Sequence, residues 1–282
     1  MEVLMKVYIS LDMEGIPGTF NWEHESVDRA AVRACMHKHL GDIVDGLFHS
    51  HKDIREIVIA DSHSGGDNIG YDFTERDERI TLISGTPRSQ YMMPALNEDY
   101  DRVFLVGYHA GTGSIFGSMD HTYANKRIHK IWINDQPMNE AIINAAYAGY
   151  KKVPVTLVSG DWALQQELMA DNALPWAEYI ATKRAISKFA AILPSDLAIR
   201  KETMHAVAQT MKKERTEYPL LTFKAPITLR IEFIATSMAD IASYMPHTRR
   251  INGRTIEYTD DDYGVIFDAI MALVTLASTA QI

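Results

Sequence analysis

The sequence predicts an α/β protein, a mostly parallel sheet flanked by helices, with a smaller α+β C-terminal lobe. Three observations carry this expectation. Short apolar runs rich in β-formers alternate with longer segments whose apolar residues recur at helical spacing, the order of βα units. The main runs end in loops that hold glycine and polar residues, as strands of an open sheet do at their carboxyl ends. Finally, 282 residues lie near the length at which one core begins to divide into two. The division expected is a catalytic α/β domain over 1–160 and the smaller lobe over 161–282.

The elements follow in order. Residues 7–14 form the first strand, closed by the carboxylates of Asp12 and Glu14. A helix over 26–50 carries Val32, Leu40, Ile43, Val44 and Leu47 on one face, with Ser26 as its cap and Asp28 in the first turn. Strands follow at 54–60 and 80–84, one or two helical turns at 89–96, and a third main strand at 102–107. The segment 128–138 reads as a strand that turns at Asn134-Asp135. Asn139 caps a helix running to Gly149, a strand covers 153–158, and Asp161 caps the next helix. Beyond it lie a helix at 194–215, an alternating strand at 227–233, a helix at 237–244, a strand at 254–258 and a closing helix at 260–278.

Composition excludes several functions. A net charge of −9 without a dense Lys/Arg stripe speaks against nucleic acid or an anionic membrane as partner. The single cysteine, Cys35, suits a reducing compartment, and no apolar run approaches the roughly 20 residues of a membrane span. A cytoplasmic protein is therefore expected.

Chemistry concentrates at the strand ends. Asp12 and Glu14 are two apart in extended chain and project from the same side of the first strand. Two close carboxylates repel, and a cation between them removes the conflict. An isolated Asp-x-Glu more often only caps a turn, but the pattern repeats: His63 follows the second strand and His109 the third. Glu140, at a helix start, is a fifth donor that either enters the cleft or only faces the helix dipole. His37 and His39 face different directions on a helix and are expected at the surface.

The words around these residues, in this order, resemble the zinc-dependent D-aminopeptidases of the DppA type. The resemblance runs through Ser10-Leu11-Asp12-Met13-Glu14-Gly15-Ile16, Asp61-Ser62-His63-Ser64, Leu82-Ile83-Ser84-Gly85, Gly107-Tyr108-His109-Ala110, Met119-Asp120-His121 and Ile133 to Glu140, and so spans nearly the whole chain. It implies two zinc ions per subunit: Asp12 bridges both, Glu14 and His109 complete one site, and His63 and Glu140 complete the other. It also implies that a metal-bound water attacks the N-terminal peptide bond of a short peptide, that His121 is the catalytic histidine, and that the subunits form a ring-like homo-oligomer, a decamer. A general acid/base role is physically simplest for His121. Asp120 stands where the family has serine, the loop from His109 to His121 is one residue longer, and Trp162 replaces a second acidic residue. These departures fall on loops expected to line the cleft, and bear on substrate choice rather than on the metal set. Two rival readings are a metallophosphoesterase, since paired metals also serve phosphate esters, and a nucleotide-binding module built on Gly107 to Gly113. The second lacks a Rossmann spacing and a Walker lysine.

Overall fold

The computed structural model describes residues 4–51 and 53–281. Two sheets organise them. The first has seven strands: β1 (Met5–Leu11), β2 (Ile54–Asp61), β3 (Ile80–Ile83), β4 (Arg102–Tyr108), β7 (Val155–Asp161), β8 (Glu178–Ser187) and β9 (Ala190–Ile192), in the spatial order β3-β2-β1-β4-β7-β8-β9. All neighbours pair in parallel except β8 and β9, which form a hairpin. The second sheet, antiparallel, joins β5 (Ile128–Ile133) and β6 (Gln136–Pro137) to β10 (Ile227–Phe233), β12 (Thr255–Asp260) and β11 (Arg249–Arg250).

Burial explains the composition of these strands. Covered on both faces, β4 and β7 are buried at every position, whereas β10 alternates between buried and half-buried residues because only one of its faces meets the core. One face of the first sheet packs Val7, Ile9 and Leu11 against α2 (Arg29–Ser50) and α5 (Asp196–Thr210). The other face packs α3 (Glu140–Tyr150), which is backed by α7 (Tyr263–Ser278) from the second sheet.

The chain order in the first sheet reverses between β1 and β4. The crevice at that reversal, outside the carboxyl ends of the strands, is where open α/β sheets place ligands.

Several local expectations needed correction. The long helix starts at Arg29, capped by the Asp28 side chain, because Trp22–Val27 forms a separate short helix, α1, and Ser26 lies inside it. Residues 89–96 form successive turns rather than a helix, with Gln90, Tyr91 and Ala95 at positive φ. His39 is 2% exposed, and its Nε2 lies 3.0 Å from Ser159 Oγ, so the helix face that carries it is the buried one. The hairpin β8–β9 was not foreseen. Residue 160 falls inside β7; β8 from beyond it extends the first sheet, and β5 from before it belongs to the second.

Candidate metal centre

Each donor is held by backbone before any ion is considered. At the end of β1 the Asp12 amide donates to Val106 O (2.8 Å) and the Gly15 amide to Gly107 O (2.6 Å), which ties the Asp12–Glu14 segment to β4. Only glycine fits at 15: a Cβ there would lie 1.8 Å from Tyr108 O. Beneath this segment Lys183 of β8, fully buried, donates to Glu14 O (2.5 Å), Thr19 Oγ1 (2.8 Å) and Thr19 O. Burial pushes its ammonium down to about 7.

The loop after β2 is organised by Asp61, whose carboxylate accepts from the amides of Asn68 and Ile69 and from Asn68 Nδ2, while that Nδ2 also reaches His63 O (2.9 Å). The loop after β4 hangs on two carboxylates. Asp161 accepts from the amides of Ala110 and Ser118, and Glu167 accepts from the Gly111 amide and Asn139 Nδ2. The expectation for Asp161 therefore needed correction: it precedes α4 (Trp162–Leu168) but makes no side-chain cap bond to it, and braces this loop instead. Asn139 does cap α3, through Ile142 N (2.8 Å), and so aims Glu140 into the cleft, where its Oε1 accepts from Tyr123 N (2.6 Å).

All six residues singled out from the sequence come together. His63 Nδ1 lies 3.1 Å from both Asp12 Oδ1 and Glu14 Oε2. His109 Nε2 lies 3.7 Å from Asp12 Oδ2 and 3.5 Å from Glu140 Oε1. His121 Nε2 is 3.8 Å from Glu14 Oε1 and 3.7 Å from Glu140 Oε1, and its ring stacks on His109 at 4.2 Å. These shortest approaches couple Glu14 with His63 and Glu140 with His109, whereas the resemblance pairs them the other way. Donor atoms of Asp12, Glu14 and His109 nevertheless lie within 4.8 Å of one another, as do those of His109, His121 and Glu140.

The donors fit a divalent metal. Asp12 Oδ2, Glu14 Oε2, His63 Nε2 and His109 Nε2 are buried without a hydrogen-bond partner, a costly state for polar atoms unless something else satisfies them. The tautomers agree: His109 Nδ1 lies 3.0 Å from Ala110 O and His121 Nδ1 lies 2.9 Å from Met119 O. A carbonyl can only accept, so in each neutral ring Nδ1 carries the proton and Nε2 presents a lone pair to the cleft.

Charge tells the same story. Burial and the neighbouring Glu14 push Asp12 up to about 7, while His63 holds Glu14 below the usual carboxylate range despite its burial. Burial would lower His109, but Glu140, Glu14 and Asp12 outweigh it and push it up to about 10. His121 differs, since burial and then the His109 charge lower it and favour the neutral ring.

Sequence reasoning missed Trp22, Glu25, Tyr123 and Lys183. Trp22 Nε1 donates to Glu14 Oε1 (2.8 Å), and its ring stands edge-on to His121. The short helix that carries it has no buried residue, so no apolar period announced it. For Lys183 the available signal was the β-branched and aromatic run Tyr179-Ile180-Ala181-Thr182.

The open cleft over the donors has a volume of about 530 Å³. A sheet-end crevice lined by imidazoles and carboxylates able to hold divalent metal defines a class, that of α/β hydrolytic enzymes built around a candidate metal centre. Within it the chain belongs to the D-aminopeptidase family, whose model matches residues 5–272. The chain is similar to a D-aminopeptidase of Bacillus subtilis, at 29% identity over 279 residues, covering 97% of this chain and 98% of that protein. It is also similar to the solved structure of the Zn-dependent D-aminopeptidase DppA from Bacillus subtilis, described as a self-compartmentalizing protease. There the TM-score is 0.88 at 28% identity, over 99% of this chain and all of that one.

Proposed function

We propose that this protein is a zinc aminopeptidase that holds two zinc ions per subunit and removes an N-terminal residue of D configuration from short peptides. The observation that supports it most is the convergence of four unpartnered buried donor atoms from Asp12, Glu14, His63 and His109 on one crevice, with Glu140 beside them. Asp12, with one oxygen towards His63 and the other towards His109, would be shared between the two ions, which Glu14, His63, His109 and Glu140 would help to hold. When bound there, paired zinc ions acidify water and polarise the scissile carbonyl.

The chain's own residues supply the rest. His121 Nε2 carries a lone pair on a ring that burial keeps neutral, so it can take a proton from water and return it to the leaving amine. Trp22 and Tyr123 hold the carboxylates of Glu14 and Glu140 in place through N–H donors.

Zinc content is measured together with turnover on dipeptides that carry D- or L-residues at the N-terminus. Asp12→Ala and His109→Ala should lose both metal and turnover; His121→Ala should keep metal and lose turnover. Full activity of either ligand variant in metal-free buffer would refute the two-zinc reading. Hydrolysis of phosphate esters in preference to peptides would favour the metallophosphoesterase instead.

A ring-like homo-oligomer, a decamer, belongs to the same proposal. It is supported by the self-compartmentalizing description of the similar structure and by exposed Ile186, Phe189 and Ile192 on the β8–β9 hairpin. Light scattering that gives a monomer would remove it. Among the described residues no helix is long and apolar enough to cross a membrane, and a cytoplasmic location, proposed from the sequence, is tested by cell fractionation.

A further inference from the structure

Four carboxylates line the cleft, and three of them, Asp12, Glu14 and Glu140, have side chains only 3–4% exposed. The fourth, Glu25 of α1, is different: its side chain is 26% exposed. Its Oε2 lies 3.2 Å from His63 Nε2, off the line of a hydrogen bond, and its Oε1 has no partner among the described residues. The one lysine or arginine that lines the cleft is Lys126, whose Nζ makes no hydrogen bond or ion pair among the described residues. Besides the donors assigned to metal, the cleft therefore offers a ligand one part-exposed carboxylate, beside His63, and one lysine outside any ion pair among the described residues.

We infer that this pair reads the two ends of a short unblocked peptide: Glu25 accepts the α-ammonium and Lys126 donates to the terminal carboxylate. The inference rests on the peptidase reading and narrows its substrate class to zwitterionic di- and tripeptides. A carboxylate is a strong receptor for an ammonium, because a charge-assisted hydrogen bond helps repay the water that both groups give up. Glu25 is suited to it, since its part-exposed carboxylate lines the cleft and has one oxygen beside His63. At about 530 Å³ the cleft lies within the size range of small-molecule sites, which suits a ligand of two or three residues held at both ends. Trp22, three residues before Glu25 on the same helix, grips Glu14, so the ammonium receptor is fixed relative to the site of chemistry.

The test compares zinc-loaded wild type, Glu25→Gln and Lys126→Met on three ligands. These are dialanine in the configuration the wild type hydrolyses, its C-terminal amide, and lactoyl-alanine, in which a hydroxyl replaces the α-amine, used as substrate or competitive inhibitor. Glu25→Gln should lower kcat/KM for dialanine about tenfold to a hundredfold, mainly through KM, and change lactoyl-alanine recognition less than about threefold. Lys126→Met should lower kcat/KM for dialanine about threefold to tenfold and leave the amide unchanged. The zinc content of both variants should equal that of wild type. If Glu25→Gln weakens all three ligands equally, or loses zinc, then Glu25 only orients His63 and the inference is overturned. It is overturned likewise if Lys126→Met treats acid and amide alike. A wild type inert towards every peptide overturns the peptidase reading as well, whereas an active wild type with unselective variants overturns this inference alone.

Discussion

Gly15→Ala tests whether backbone clearance, rather than the donors alone, sets the geometry of the centre. The added Cβ would lie 1.8 Å from Tyr108 O, 2.5 Å from Gly107 C and 2.6 Å from Gly107 O, where real contacts do not fall below 3.0 Å. All three are backbone atoms, so no side chain can swing aside, and the Asp12–Glu14 segment must part from β4 by more than about 1 Å at this point. That movement breaks the 2.6 Å bond from the Gly15 amide to Gly107 O and shifts the Asp12–Glu14 segment away from His109, which follows β4. Overpacking of this kind costs about 3 kcal/mol, at the upper end of the usual range. In a protein of this size it should lower Tm by roughly 6–12 °C. Zinc affinity should fall by about tenfold to a hundredfold, as it does when support for ligands is lost. Chelator competition and thermal melting measure the two effects, with Gly253→Ala as control, since a Cβ there meets only Thr236 Cγ2 at 3.3 Å. A Gly15→Ala protein with native zinc affinity and a Tm within about 2 °C of wild type would refute the reasoning.

Other predictions rest on neighbouring features. His39 is held down to about 4, by burial first and then by Lys183, against 6.5 for the free side chain. Its neutral form therefore stabilises the fold fully above about 6.5, and that contribution, about 3 kcal/mol, is lost as pH falls through about 4. Denaturation midpoints between pH 6.5 and 4 should fall more steeply for wild type than for His39→Gln, and equal slopes would contradict this. Lys183→Met should weaken zinc binding by about tenfold, because Glu14 O and Thr19 lose their shared donor; unchanged competition against a chelator would sink this idea. Asn144→Leu removes the partner of the Tyr123 hydroxyl and a donor to the Tyr108 hydroxyl and should cost about 1–3 kcal/mol, read from urea unfolding.

How far the sequence could be read depended on the kind of force involved. Residues of β1, β2 and β4 were legible because strands buried on both faces must be nearly all apolar, and the donors follow where those runs stop. Asp12, Glu14, His63 and His109 were singled out in this way, and Glu140 by its place after a capping asparagine, and the structure brings the five together. The hairpin β8–β9 was not legible: its outer residues are exposed at the sheet edge, and charged Lys183 and Arg184 interrupt the apolar run. His39 was misplaced because its burial depends on a contact with Ser159, 120 residues away, which no helical period encodes. Glu25 stayed hidden because a solvent-reachable carboxylate has no local signature until a cleft surrounds it.

The scaffold beneath the centre is bolted together by one buried polar network. Ser10 Oγ meets Ser62 Oγ, Tyr108 OH and Met92 O, while Asn144 joins Tyr108 OH to Tyr123 OH. Ser62 and Tyr108 directly precede His63 and His109, Ser10 lies two residues before Asp12, and Asn144 one helical turn after Glu140. The frame that carries the donors is thus cross-linked by hydrogen bonds between protein groups. Damage to this network should therefore be felt at several donors at once, since the chain neighbours of both His63 and His109 belong to it.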